Sequence, residues 1–161
     1  MTNTSRVFIA GVDPGLYGAV SIFSKRGFVT VFSTPIIKAK KVHCDVSKMA
    51  RMLCSLKAQG VRHVFLEAVS SMPKQGVASS FNFGVGYGMW RGTLAALQIP
   101  LTLVPPQTWH KMLKGTPAGD PKARARLFFS THFPQVRCVV AHIDAVLIGY
   151  YGAQQIFRSL D

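Results

Sequence analysis

The residues best suited to chemistry are three acids that lie where a regular element starts or ends. Asp13 follows an apolar, β-rich run and precedes a Pro-Gly turn, and Glu67 follows a second apolar run. Asp144 opens a helical pattern with apolar neighbours on both sides. A carboxylate beside buried apolar chain is costly unless a positive group meets it. Three such acids therefore predict a shared site that binds a cation.

Each acid also has an ordinary structural explanation. Asp13 could open the Pro-Gly turn, a common position for Asp. Glu67 could meet a lysine at the strand end, and Asp144 could interact favourably with a helix N-terminus. The other three acids have simpler roles, two as helix caps and one as the last residue of the chain: Asp45, Asp120 and Asp161.

Oxygen ligands in an open site favour Mg²⁺ or Mn²⁺. Carboxylates that hold two such ions about 3.5–4 Å apart recur in enzymes that cleave phosphodiesters. One ion activates the attacking water and the other stabilises the leaving 3′ oxygen.

Charge indicates the partner. Nineteen Lys and Arg residues stand against six Asp and Glu, a formal net charge of +13. A field of this sign favours a polyanion, most commonly nucleic acid. A membrane surface is the weaker alternative, because no amphipathic segment gathers the basic residues on one face. No apolar run approaches the ~20 residues of a membrane span.

The start of the chain shows no signal-peptide pattern, and the three cysteines form neither a metal-site spacing nor an even set. Both observations predict an intracellular, reducing compartment and a protein that is not secreted.

Hydrophobic periodicity predicts one α/β domain over residues 1–161. The predicted strands are 6–13, 18–24, 27–33, 61–66 and 99–104. The predicted helices are 46–59, 83–98, 120–132 and a last one from 142 or 143 to 159, with a single helical turn at 107–111. Asp45 and Asp120 are placed to cap two of these helices.

Two features of the middle of the chain remain open. Residues 70–82 are rich in Ser and Gly, and so long a connection is either functional or mobile. Small residues then repeat along the helix at 83–98, beside its apolar stripe: Gly84, Gly88, Gly92 and Ala96. Because Gly weakens a helix, the repeat suggests a closely packed backbone, either within the monomer or across a dimer interface.

Several stretches together resemble the RuvC family of Holliday junction resolvases, in its compact phage and organellar branch. They are Gly11–Gly15 (GVDPG) before an apolar hairpin, Phe65–Glu67 (FLE), Gly76–Gly84 (GVASSFNFG), Pro106–Trp109 (PQTW) and Asp144–Gly152 (DAVLIGYYG). The similarity covers almost the whole chain in order.

The resemblance implies a ribonuclease H-like fold, a mixed five-stranded sheet with its first three strands antiparallel and helices around it. It implies a homodimer that binds a four-way DNA junction and nicks two opposed strands with Mg²⁺ or Mn²⁺. Asp13, Glu67 and Asp144 would be catalytic metal ligands, and Lys122 the catalytic lysine near the cleaved phosphate. The expected DNA-binding residues are Lys40, Lys41, Met72, Lys74, Phe81, Phe83, His110, Lys111, Lys114, Arg124 and Arg126.

The sequence departs from the family pattern just before its last acid. The family places a further acid or His three to five residues earlier, where this chain has Val139, Val140 and Ala141. Either His142 is the fourth metal ligand, which would favour Mn²⁺ over Mg²⁺, or the site has one ligand fewer, or Ala141 stands in place of a carboxylate and the site is inactivated. The chain also has His110 after Trp109, where relatives often have lysine.

The sequence thus predicts a metal-dependent endonuclease, a crossover junction endodeoxyribonuclease. Two alternatives remain. One is a junction-binding protein of the same fold with weak or lost cleavage. The other is a ribonuclease H-like enzyme that acts on RNA, since a fold does not decide the substrate.

Overall fold

The computed structural model describes residues 7–69, 76–117 and 119–157. The strands are β1 (Phe8–Val12), β2 (Ala19–Ser24), β3 (Gly27–Ser33), β4 (Ile36–Ile37), β5 (His43–Cys44), β6 (Val61–Glu67) and β7 (Leu101–Val104). The helices are α1 (Val46–Gln59), α2 (Val77–Ala96), α3 (Pro106–Trp109), α4 (Pro121–His132) and α5 (Ile143–Phe157). Short 3₁₀ turns span His110–Leu113 and Val140–His142.

Five strands form one mixed sheet in the order β3-β2-β1-β6-β7, and β4 pairs with β5 as a separate hairpin. The pairs β1–β2 and β2–β3 are antiparallel, whereas β1–β6 and β6–β7 are parallel. This confirms the predicted mixed sheet with three antiparallel first strands. The parallel strands β1, β6 and β7 all end at one border of the sheet, here called the carboxyl edge.

Helices cover both faces of the sheet, because apolar side chains alternate along its central strands. On β1, Ile9 packs on the side of α4 and α5, while Ala10 packs on the side of α1 and α2. On β6, Phe65 packs on the side of α4 and α5, and Val64 packs on the side of α1 and α2. Two separate apolar layers therefore hold the sheet, with α5 on one side and α1 on the other.

The backbone of α5 lies unusually close to β1. A Cβ atom built on Gly11 would lie 2.0 Å from the backbone nitrogen of Gly149, and one on Gly149 would lie 2.2 Å from the Ser21 hydroxyl oxygen. That hydroxyl donates a 2.6 Å hydrogen bond to the carbonyl oxygen of Ala145. Small residues at these positions therefore let the first turns of α5 rest directly on β1 and β2.

Two predicted helix caps are confirmed. Asp45 accepts a 2.9 Å hydrogen bond from the Lys48 backbone N–H at the start of α1. Asp120 accepts one of 2.9 Å from Ala123 at the start of α4, where Pro121 occupies the first turn. These carboxylates satisfy backbone donors that the helix itself leaves unpaired.

Two predicted boundaries were wrong. Helix α2 begins at Val77 rather than at 83, because the Ser-rich stretch after Gly76 contains no helix breaker and Ser80 N–H donates to Gly76 O. Strand β7 begins at Leu101 rather than at 99. The N–H of Ile99 still donates to Leu94 O in the turn after α2, and Pro100 has no N–H to give a ladder.

The small-residue stripe of α2 is not explained by close packing within the described part of the monomer. A Cβ atom at Gly84, Gly88 or Gly92 would meet nothing within 4 Å. Among the described residues, therefore, no second backbone of the same monomer packs on these glycines. The apolar stripe beside it is confirmed at its centre, since Trp90 and Leu94 are fully buried.

The contact between α5 and β1 predicts a strong asymmetry among the glycines. Gly11→Ala should lower the free energy of unfolding by about 1–3 kcal/mol or more, because the new methyl group meets backbone that cannot rotate away. Gly86→Ala is the control, since a methyl group there meets nothing within 4 Å and a helix interior gains roughly 0.5–1 kcal/mol from Ala. Urea titration of both variants measures the difference, and equal effects would contradict the proposed contact.

Candidate functional site

The topology brings the three candidate acids to the carboxyl edge. Val12 pairs with Leu66 across the parallel strands, so Asp13 and Glu67, the residues that follow them, emerge side by side. Asp144 lies in the first turn of α5, which packs against β1. Acids separated in sequence by 54 and 77 residues therefore meet at one place.

Asp13 has both of the roles that the sequence left open. Its Oδ1 accepts a 2.9 Å hydrogen bond from Gly15 N–H, so it does shape the Pro-Gly turn. The turn closes tightly over it, because a Cβ atom on Gly18 would lie 2.3 Å from Asp13 O. The same turn holds the carboxylate at the strand end, close enough to interact electrostatically with Glu67 and Asp144.

Glu67 is held by a residue that sequence analysis did not connect with it. The indole Nε1–H of Trp109 donates a 3.0 Å hydrogen bond to Glu67 Oε1, and Trp109 is 1% exposed. Trp109 is thus a core residue that also binds one of the three acids. An indole offers one donor and no acceptor, so this contact favours the ionised carboxylate.

Burial raises the pKa of all three carboxyl groups. For Glu67 burial is the main cause, opposed by the hydrogen bond from Trp109 and reinforced by the charges of Asp13 and Asp144, and its pKa rises from 4.5 to about 7. Burial, then the charge of Asp13, raises the pKa of Asp144, which Lys122 lowers. The pKa of Asp13 is raised by burial and lowered by Gly15 N–H and His142.

The centre thus holds more negative charge than its own cations compensate. Like charges at short range disfavour joint ionisation, which an added cation would relieve. The donor set consists of carboxylate oxygens, which suits Mg²⁺ or Mn²⁺. As the side chains stand, however, no three carboxylate, imidazole or thiol groups among the described residues converge to the spacing of a metal site.

His142 lies beside the acids but is engaged elsewhere. Its Nε2 lies 3.1 Å from the Ser33 hydroxyl at the end of β3. Burial lowers the pKa of its imidazole, while the nearby charge of Asp13 raises it. The structure therefore brings His142 into the electrostatic range of Asp13 and gives it a structural partner, which leaves its role as fourth ligand a hypothesis.

Basic residues of α4 adjoin the acids. Lys122 interacts with Asp144, and a cleft of about 370 Å³ beside them is also lined by Arg126 and Ala141. Arg124 is exposed on the same helix. The predicted catalytic lysine is thus brought to the acids, and Arg126 lies one helical turn further along.

Other predicted DNA-binding residues surround the carboxyl edge. The β4–β5 hairpin leaves the sheet there, since Thr34 N–H donates to Gly18 O, and its loop exposes Lys40 and Lys41. Lys111 and Lys114 are exposed after β7. His110 is half-buried with its ring centroid 4.0 Å from that of Trp109, and burial lowers its pKa.

The loop predicted to probe DNA is described only in part. Met72 and Lys74 lie outside the described residues. Phe81 belongs to α2, not to a loop, and is 70% exposed, whereas Phe83 is half-buried. The C-terminal end of α2 lies at the opposite edge, where Leu97 O accepts a hydrogen bond from Lys57 Nζ, and Phe81 lies in the first third of this 20-residue helix.

The raised carboxyl pKa values predict that the metal-free protein loses stability as pH rises. The Glu67 carboxyl group is neutral below about pH 7 in the folded state but ionises from pH 4.5 in the unfolded chain. Between these two pH values the folded state holds one more proton than the unfolded chain, so a rise in pH favours unfolding. Glu67→Gln, which cannot ionise, should flatten the fall in melting temperature between pH 5 and 8. The fall is measured with a chelator present.

Asp120→Asn is the control for this pH series. The pKa of Asp120 is lowered, chiefly by its hydrogen bond from Ala123 N–H, so the residue is ionised in both states across the same range. Its removal should leave the slope unchanged. A Glu67→Gln variant as pH-sensitive as the parent protein would contradict the burial of an uncompensated carboxylate.

Trp109→Phe should raise the pKa of Glu67 further, because the donor that stabilises the ionised form is lost while most of the ring volume remains. The lost bond should also cost about 1–3 kcal/mol of stability. Carbon-13 NMR titration of the carboxyl group measures the pKa. Trp90→Phe is the matched control, since the Trp90 indole is equally buried and has no hydrogen-bond partner among the described residues.

No protein-family model matches the chain, and no curated protein sequence matches it. The fold of the chain does match solved structures. RuvC of Thermus thermophilus in complex with a Holliday junction substrate superposes with a TM-score of 0.65 at 12% identity, covering 96% of this chain and 95% of that one. A second Thermus thermophilus RuvC structure gives a TM-score of 0.60 at 14% identity, covering 96% of both chains.

At these identities the likeness establishes the architecture. The mixed five-stranded sheet and its flanking helices match over nearly the full length of both chains. The chain therefore has a RuvC-like, ribonuclease H-like fold.

None of the helices that the structure describes has the length and hydrophobicity of a membrane span.

Proposed function

We propose that this protein is a structure-selective, metal-dependent endonuclease that resolves four-way DNA junctions by paired nicks. The observation that carries the proposal is the meeting of Asp13, Glu67 and Asp144 at the carboxyl edge of a RuvC-like sheet. Their negative charge is compensated only in part, although the chain carries a net charge of +13. Such a centre attracts a divalent cation, and its basic surroundings attract the DNA backbone.

In this proposal the three carboxylates hold Mg²⁺ or Mn²⁺, after side-chain movements that bring their oxygens closer together. The bound ions would supply an activated water and stabilise the leaving 3′ oxygen. Trp109 favours the ionised form of the Glu67 carboxyl group and orients it. Lys122 neutralises the phosphate beside Asp144, and His142 approaches the site from its contact with Ser33.

Paired nicks require two centres, and we place the contact between two copies on α2. Its glycine stripe is open in the described part of the monomer, so a second backbone can approach there as closely as Gly allows. Exposed apolar side chains flank the stripe, with Val85 41% exposed. Two copies joined through α2 would face a four-way junction with two catalytic centres.

DNA would lie along the carboxyl edge. The exposed lysines of the β4–β5 loop and those after β7 lie on either side of the acids and would contact phosphates. Phe81 would reach unpaired bases at the junction centre, where aromatic rings stack on them. This division assigns affinity to the lysines and selectivity for branched DNA to Phe81.

The test uses an immobile four-way junction, a matched duplex and an RNA–DNA hybrid, each with Mg²⁺ or Mn²⁺. We expect symmetrical nicks in the junction alone. Tight junction binding without cleavage in either metal would support the binding-protein alternative, and cleavage of the hybrid would support action on RNA.

Asp13→Asn should abolish nicking while junction binding is retained or slightly strengthened. The change removes a proposed metal ligand and one negative charge but leaves the basic surface intact. Single-turnover nicking and fluorescence polarisation measure the two properties, with circular dichroism as the control for folding. Near-parental nicking by this variant would exclude Asp13 from the catalytic centre.

Phe81→Ala should weaken junction binding about tenfold, the typical worth of one stacked base, and leave duplex affinity unchanged. Val77→Ala is the matched control, because Val77 lies one helical turn earlier, is 88% exposed and has no aromatic ring. Equal losses on junction and duplex would show that Phe81 serves the fold or general affinity instead.

A further inference from the structure

A second groove lies on the side of α4 that is turned away from the three acids. It has a volume of about 480 Å³ and is formed by α4 and the chain that follows the 3₁₀ turn His110–Leu113. We call it the α4 groove, and its main lining residues are Lys114, Pro117, Leu127, Phe128, Thr131 and His132. Because Lys122 and Arg126 project from another side of the helix, towards Asp144, a molecule in the α4 groove would leave the acids accessible.

The floor of the α4 groove is apolar and open to solvent. Leu127 is 38% exposed, and Phe128 beside it is half-buried. The ring of His132 stacks on that of Phe128, with the ring centroids 3.8 Å apart, so the floor is ordered before anything binds. Small-molecule sites enclose most of their ligand, whereas most residues of this groove are exposed. The shape therefore favours a segment of another macromolecule.

The rim of the α4 groove is basic. Lys114 is exposed at one side, and no residue that lines the groove is acidic. The Nδ1–H of His132 donates a 2.9 Å hydrogen bond to Phe128 O, so Nε2 remains for an incoming group. Asp120, at the start of the same helix, interacts with Arg126 and Lys122 instead. A positive border that the groove itself does not pair favours an anionic partner.

The combination of an apolar floor and a charged rim distinguishes a peptide from a nucleic acid. Protein interfaces have an apolar centre with aromatic side chains and a polar rim. Interfaces with DNA are more polar and much more densely positive. The exposed Leu127 and Pro117 at the floor match the first description.

We propose that the α4 groove docks an acidic peptide segment of a partner protein. An apolar side chain of the segment packs on Leu127 and Phe128, and a carboxylate lies near Lys114. The Thr131 hydroxyl donates to Leu127 O, so its oxygen can still accept a hydrogen bond from a peptide N–H. The inference does not depend on the proposed nuclease function, because the groove contains none of the three acids.

Binding is tested by fluorescence polarisation with a fluorescein-labelled octapeptide that alternates Glu with Leu and Phe. A second octapeptide alternates Glu with Ser and carries the same charge. We expect the apolar probe to bind at least tenfold more tightly, and Leu127→Ser to weaken it about tenfold, the effect of exposing part of a leucine contact. Val29→Ser is the matched control, since Val29 is 48% exposed on β3. Equal affinities for the two peptides would overturn the proposal, because net charge alone would then explain binding.

Methyl NMR locates the bound peptide. The apolar octapeptide should shift the methyl resonances of Leu127 and Thr131 and leave those of Val140, in the cleft beside Asp144, in place. Lys114→Gln should weaken binding about threefold, as for an exposed ion pair. Lys48→Gln, on an exposed lysine of α1, should have no effect. Shifts of similar size at Leu127 and Val140 would contradict a specific groove.

Two other occupants give different results. Displacement of the peptide by a DNA duplex, together with an equal loss of duplex and peptide affinity in Leu127→Ser, would make the groove a nucleic-acid site. Dissociation of an oligomer by Leu127→Ser in analytical ultracentrifugation would make it a contact between copies of this chain. Either result would overturn peptide docking. A protein that nicks junctions but does not distinguish the two peptides retains its proposed function and loses the docking site.

Discussion

The site depends on the close contact between α5 and β1. Gly11 and Gly149 leave no side chain between the two backbones, and the buried Ser21 hydroxyl binds the carbonyl oxygen of Ala145. That contact decides where the first turn of α5 lies relative to the strand. Asp144 is one residue before Ala145, so the same contact brings its carboxylate to the end of β1. A methyl group at Gly11 would meet the backbone of the helix that carries Asp144.

The electrostatic design follows from this convergence. A chain with 19 basic residues could pair each of its acids with a lysine, yet the acids at the carboxyl edge largely interact with one another. Among the described residues, Lys122 offsets the charge of Asp144, and His142 in its protonated form offsets that of Asp13. Pairing every acid would stabilise the folded state and remove the attraction for a divalent ion. The arrangement has a negative centre within a positive border, which suits a cation held against a polyanion.

The acids combine structural and chemical roles. Asp13 accepts a hydrogen bond within its turn, and Asp144 occupies the first turn of a helix, where a negative charge is favourable. Glu67 accepts a hydrogen bond from the indole of Trp109, in the short helix α3 that follows β7. These contacts restrict the side chains without neutralising them. An ordinary structural explanation for a site residue therefore does not argue against a functional one.

What the sequence determined by itself is local. Apolar, β-rich runs predicted the five strands of the sheet, and Asp45 and Asp120 marked two helix starts. The positions of the three acids at element ends were also visible. These signals act over a few residues, because strand alternation and helix capping depend on neighbours along the chain.

Tertiary structure decided the rest. The bond from Trp109 to Glu67 spans 42 residues and that between Ser33 and His142 spans 109, and neither pair has a local pattern. Helix α2 begins six residues before its expected start although that stretch is mostly exposed, because Ser and Gly composition sets only a weak preference against helix. The close approach of Gly149 to Gly11 likewise arises only when α5 packs on β1. Which acids share a site is fixed by such long-range contacts, since only the folded chain brings their distant segments together.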